Sequence, residues 1–261
     1  MTVSDHNRIN IKHLINIIFL VLPISMEAQP LGEPLVVHNC NVYQGYLSGD
    51  LNVWRKGIEQ LEGKYKISTS SEDLYALILS KYGYIGFIVG MKKDVDTREI
   101  LSSTESNVEL LSADKRYTSS ALAMEGGLIA MKISLNPMRA PFLGMKSLSL
   151  IEKSIEADKN NPAAWVEMGN ARYHMPSIAG GSYKGAVENF SHALTLFETD
   201  QAGLRCNWYY LHTLVWLARS HENTGNVAEA KKIYEKLLKM EPEFLWVKQE
   251  LYPDLLKKGG F

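Results

Sequence analysis

Cysteine is nearly absent: Cys40 and Cys206 are the only two among 261 residues, and no Cys/His spacing suits zinc. Charge of one sign is also scarce. Lys+Arg number 28 against 29 Asp+Glu, a net charge of -1, so the basic excess that nucleic acid or an anionic membrane partner calls for is missing. No run of like charges is long enough to act as a tail. Catalytic signatures are missing too. There is no G-x-S-x-G, no H-E-x-x-H, no G-x-x-x-x-G-K and no Cys/His dyad at local spacing, which points away from an enzyme. No segment alternates apolar and polar residues with a strand's period, so the chain reads as all-α.

What is present suffices for a core: 46% of residues are hydrophobic and 22% charged, the balance of a globular chain. Residues 1–28 stand apart. Arg8 and Lys12 precede the apolar run Leu14–Ile24, and a small residue, Ala28, precedes Gln29. That is the layout of a secretory signal peptide cleaved after Ala28, and the run is shorter than the ~20 apolar residues of a spanning helix. A periplasmic or secreted protein without stable membrane insertion is expected.

Between Asn160 and Ala193 two helical segments flank a Pro/Gly turn. Trp165, Met168 and Gly169 share a face of the first, and Ala186, Phe190 and Ala193 a face of the second. Small residues at Gly169 and Ala186 let the two helices approach while the aromatic rings fill the space around them. This resembles the tetratricopeptide repeat (TPR), W-x2-L-G followed by A-x3-F/Y-x2-A. The resemblance implies a right-handed superhelix, an α-solenoid of about five helix pairs over residues 29–261. The approximate repeats are 35–63, 70–115, 118–159, 160–198 and 208–242, with a capping helix over 244–258. Ala218, Ala230, Tyr234 and Pro242 carry the unexpanded pattern in the last pair.

Earlier pairs are degenerate. Trp54, Ile58 and Leu61 occupy the triplet of the first, Ser106, Leu110 and Ala113 that of the second. Gly83, Gly86 and Gly90 read as sites of close packing within one helix. Residues 130–154 lie over 169–193 at a shift of 39: Ala130 on Gly169, Pro137 on Pro176, Ser147 on Ala186, Ile151 on Phe190 and Ser154 on Ala193. Repeats three and four thus share an inter-helix turn expanded by five residues. That expansion is similar to exported bacterial repeat proteins and, more weakly, to the T-component of tripartite periplasmic transporters, although the lipid-anchor cysteine is missing. In a solenoid, repeats touch only their neighbours, so Cys40 and Cys206 are expected to be buried thiols.

In this family the first helix of each pair lines the concave face. The resemblance therefore implies a partner-binding surface of Asn170, Tyr173 and His174 in repeat four, and His212, Arg219, Glu222 and Asn223 in repeat five. Amide, aromatic and guanidinium groups suit a chain terminus, a carboxylate or a peptide backbone. Arg219 and Glu222, three apart, could also pair with each other. Phe142, Leu143 and Ile178 are apolar for loop residues and mark a second candidate, the rim formed by the expanded turns; packing over the helix ends is their plainer role. Gly180-Gly181 reads as a turn, with Ser182 as helix cap. The seven histidines show no metal-ligand spacing, and no cofactor is implied. Two functions remain: a non-enzymatic scaffold for a protein or peptide, and a small-ligand or transport-accessory protein using the expanded loops.

Overall fold

Helix after helix begins on a side chain that satisfies its first free amides. Asn39 accepts from Asn41 and Val42, Asp50 from Asn52 and Val53, Ser70 from Asp73, Asn161 from Ala163, Ser182 from Gly185 and Asn207 from Tyr210. Each such cap is worth about 1 kcal/mol. The computed structural model describes residues 38–259; the expected signal segment and its cleavage site lie outside the described residues.

The helices follow in pairs: α1 Cys40–Ser48 and α2 Leu51–Ser68, α3 Ser71–Gly90 and α4 Arg98–Leu111, α5 Thr118–Leu135 and α6 Ala140–Ala157. Then come α7 Pro162–His174 and α8 Tyr183–Phe197, and α9 Trp208–Asn223 and α10 Val227–Met240. A π-helical turn, Val247–Leu251, leads into α11, Tyr252–Gly259. No strand occurs among the described residues. The first helices of successive pairs pack on one another, α3 on α5, α5 on α7 and α7 on α9. They form an inner layer and the second helices an outer one. This is the all-α solenoid of five pairs plus a cap.

Small residues set the spacing within pairs. A Cβ at Gly169 would lie 2.5 Å from the Phe190 ring, so only glycine lets α7 and α8 close. The corresponding contact in the third pair departs from the sequence expectation. Ala130 is exposed, and a Cβ at Gly126, one turn earlier, would lie 2.7 Å from the Ile151 side chain. Counted from glycine to partner, 25 residues separate the two positions there against 21 in the fourth pair. The equal five-residue expansion is therefore corrected: α5, with 18 residues against 13 in α7, runs a full turn further. Ser147 and Ser154 take the small positions of α6 and donate to the carbonyls of Gly126 and Ser119 at 2.7 Å each, which satisfies both buried hydroxyls.

The frame expected for α4 also shifts. Leu110 is 58% exposed and Ser106 exposed, while Leu101, Thr104, Val108 and Leu111 are buried. Leu111 rather than Leu110 therefore continues the inward stripe that begins at Leu101. Of the three α3 glycines, a Cβ at Gly83 would strike both Trp208 and Trp54, one at Gly86 would lie 3.1 Å from the Met131 methyl, and one at Gly90 would meet nothing within 4 Å. Close packing accounts for the first two alone.

The largest departure lies at the ends. Cys40 and Cys206, expected as thiols, form a disulfide with a Cα–Cα distance of 5.1 Å across 166 residues of sequence. The solenoid curls until α1 packs against α9. Tyr46 of α1 lies 5.6 Å from the Trp208 ring and 5.1 Å from Phe244, and Trp54 of α2 lies 5.8 Å from Trp208. The Tyr43 hydroxyl donates to Glu241 Oε1 at 2.6 Å. Nearest-neighbour logic failed because it assumes an open array.

Two outcomes follow. Reduction of the bridge, or Cys40→Ser with Cys206→Ser, should lower unfolding stability by about 2–4 kcal/mol in urea titrations, while the helical circular-dichroism signal of the folded state persists. Gly83→Ala, which drives a methyl against two indoles, should cost about 1–3 kcal/mol in the same assay.

Candidate binding face

α7 and α9 stand side by side in the inner layer, and their facing residues build an aromatic wall. Trp216 sits at its centre, four residues after His212 and three before Arg219, so one helix face presents all three. The Tyr173 ring lies 4.7 Å from Trp216, His174 4.8 Å and His212 5.9 Å. Tyr183, from the start of α8, lies 5.2 Å from Tyr173. The Arg219 guanidinium sits over the Trp216 ring at 5.3 Å, a cation–π placement. Asn223 Nδ2 donates to the Tyr173 hydroxyl at 2.9 Å, tying the two helices together at the wall's edge.

The electrostatics of this wall are unusual. His212 is half-buried, and burial followed by the neighbouring His174 lowers its pKa to about 3. Solvent reaches His174, but the protein crowded around it, and then the Arg219 charge, hold it at about 4. Both imidazoles are thus neutral at pH 7, each with one ring nitrogen free to accept or to ligate. Arg219 forms no ion pair among the described residues. The pairing with Glu222 that the sequence allowed does not form, because Glu222 instead accepts from the Tyr234 hydroxyl of α10 at 2.6 Å. Trp216 Nε1 is a buried donor without a hydrogen-bond partner.

Of the residues expected on the concave face, Tyr173, His174, His212, Arg219 and Asn223 come together here. Asn170 and Glu222 do not. Asn170 Nδ2 donates to Glu167 Oε1 at 3.3 Å, behind the wall. There the Tyr82 hydroxyl donates to Glu167 Oε2 at 2.7 Å and the Tyr209 hydroxyl to Oε1 at 2.5 Å. Burial raises the Glu167 pKa and the hydroxyl donors pull it back. The carboxylate is buried and joins α3, α7 and α9; its role is structural. Sequence reading missed Trp216, Tyr183 and this carboxylate. The first was legible from its spacing between His212 and Arg219. The last was not, since nothing local links residues 82, 167 and 209.

The rim candidates lie elsewhere. Phe142 is 82% exposed and Ile178 98%, with Leu143 half-buried. Phe142 and Ile178 do not pack over the helix ends, which corrects that expectation. A cleft of about 360 Å³ is found instead on the outer side of α4 and α5, lined by Val108, Leu122, Leu128 and the carboxylates Glu105, Glu109 and Glu125.

Comparison with known proteins adds a sequence match and a structural likeness. Residues 211–244, which are α9, α10 and the turn after them, match the tetratricopeptide-repeat family. The chain thus carries a tetratricopeptide repeat over its last helix pair. No curated protein matches its sequence. Among solved structures it is similar to the HusA haemophore from Porphyromonas gingivalis, at 12% identity and a TM-score of 0.57, over 71% of this chain and 92% of that one. At that identity the likeness is one of fold. The TPR match falls on the helix that supplies His212, Trp216 and Arg219.

The neutral imidazoles give a pH signature. Unfolding frees His174 and His212 to protonate near the ordinary value of 6.5, so stability is full above that pH and falls as the pH drops toward 4. Burial lowers His38 to about 4 as well, against the opposing pull of the Asp200 charge, which adds to the slope. In urea midpoints taken across this window, His212→Gln should flatten the fall, and an unchanged slope would place the effect elsewhere.

Proposed function

We propose that this chain is a non-enzymatic binding protein whose aromatic wall takes a flat, conjugated, carboxylate-bearing ligand, a haem-type tetrapyrrole. The observation that carries the reading is the grouping of Trp216, Tyr173, two neutral imidazoles and an unpaired guanidinium on one surface. Aromatic faces stack on a planar macrocycle. A neutral imidazole nitrogen is a haem-iron ligand, and His174 and His212 are the residues that would supply it. Arg219 offers a forked donor to a peripheral carboxylate. The fold shared with a haemophore supports the same reading.

A protein or peptide partner is the second reading. It is favoured by the exposed Asn223 amide beside Tyr173 and Arg219, which suits an extended backbone or chain terminus. A transport-accessory role rests on the expanded turns alone. We place the protein in the periplasm or outside the cell; the disulfide between Cys40 and Cys206 supports that placement, since such bridges persist in oxidising compartments.

Titration with haemin, followed in the Soret band and by tryptophan fluorescence, separates these readings. Saturable binding that weakens about tenfold or more in Trp216→Ala and Arg219→Ala, a loss of at least ~1.4 kcal/mol, with a changed Soret position in His174→Ala or His212→Ala, is the expected result. Haemin spectra that never saturate, or that are identical in all four variants, would refute the haem reading and leave the peptide reading in place.

A further inference from the structure

The two expanded turns, at the α5–α6 and α7–α8 junctions, lie on the same edge of the molecule, because α5 and α7 run side by side and each turn follows an inner helix. The turns expose Met138 and Ile178, at 83% and 98%, and the start of α6, where Phe142 and Leu143 prove to be helical rather than loop residues, exposes Phe142 and Met145 at 82% and 75%. Leu135 and Tyr183 at the adjoining helix ends are also exposed. A single bare apolar residue also occurs elsewhere, Ile67 at 88%, but four on one edge make a patch. The Asn136 side chain accepts from the Met138 amide and opens a 3-10 turn over Pro137–Arg139, and Gly180 closes another over Ser177–Ala179 with a positive φ of 96°. The backbone is therefore ordered while the apolar side chains point outward.

We propose that this edge is a peripheral membrane-binding surface, resting at the interface of an anionic lipid layer. Three features favour lipid over a protein partner. The apolar groups stand on two 3-10 turns (Met138, Ile178) and on the exposed first turns of α6 (Phe142, Met145), so they offer points to insert. Three of the four most exposed are Met and Phe, unbranched beyond Cβ or flat, which enter acyl chains readily. The whole molecule has no basic excess, so the attraction is local: Arg139 and Lys184 flank the patch and form no ion pair among the described residues, which leaves both charges for lipid phosphates. The extra turn of α5 carries Met138 and Phe142 further out. Among the described residues no helix is long and apolar enough to cross a membrane; the contact is shallow and interfacial. This surface meets the aromatic wall at Tyr183, which neither double variant below replaces, so the two assignments are tested independently.

The test is methyl NMR of the protein labelled at methionine, with vesicles of phosphatidylcholine and phosphatidylglycerol carrying a gadolinium headgroup lipid. The Met138 and Met145 methyls should broaden severely, while that of Met240, exposed at the opposite edge, should not. Phe142→Ser with Ile178→Ser should cut vesicle partitioning at least about tenfold, and Arg139→Glu with Lys184→Glu should abolish the preference for phosphatidylglycerol. Circular dichroism of both double variants should match the wild type, since every substituted side chain is solvated. Absence of broadening, equal broadening of Met240, or partitioning unchanged in the variants would overturn the proposal. The edge would then be assigned to a protein partner.

Discussion

Helix pairs in this protein close on a point where one member has almost no side chain. Gly169 meets Phe190, Gly126 meets Ile151, and a Cβ at Gly45 of α1 would come within 2.7 Å of the Trp54 backbone. Each contact sets the distance between two helices and hence the position of everything they carry. The cost of glycine within a helix, about 1 kcal/mol relative to alanine, is offset by the aromatic or branched side chain packed opposite. Where the small residue slides along the helix, as from position 130 to 126, the helix lengthens and the turn beyond it moves outward. The exposed edge and the aromatic wall are both downstream of this choice.

Much of the architecture was legible because it is local. Caps at Ser70 and Ser182, the small-aromatic-small triplet of α8 and the 211–244 repeat are all short-range patterns, and each forms where its residues predict. The errors have a common cause as well. Leu110 and Leu111 are both apolar, so a stripe one residue out of phase is equally hydrophobic in the sequence. Ala130 and Gly126 are both small, and only the partner across the pair distinguishes them. Local periodicity fixes a helix and leaves its rotation and its mate open.

The candidate site was half legible. Tyr173, His174, His212 and Arg219 follow from the rule that inner helices face the concavity. Asn170 and Glu222 obey the same rule but are drawn aside by stronger partners, a buried carboxylate and a tyrosine hydroxyl. Glu167 lies three residues from Asn170 on the same helix but is fixed by Tyr82 and Tyr209 of other repeats, and Tyr234 comes from the outer layer, so no reading of one helix finds either arrangement. The bridge between Cys40 and Cys206 belongs to this class too, as its partners lie 166 residues apart.

Solenoids ordinarily lose structure from their tips, since a terminal repeat has a neighbour on one side alone. Here the first pair has neighbours on both sides: α2 packs on α3, and α1 on α9. A chain folded into such a ring has no tip from which to fray. Its repeats share one fate, melting as a single cooperative body. The wall between α7 and α9 then keeps its shape without a ligand, held like a stave in a hooped barrel.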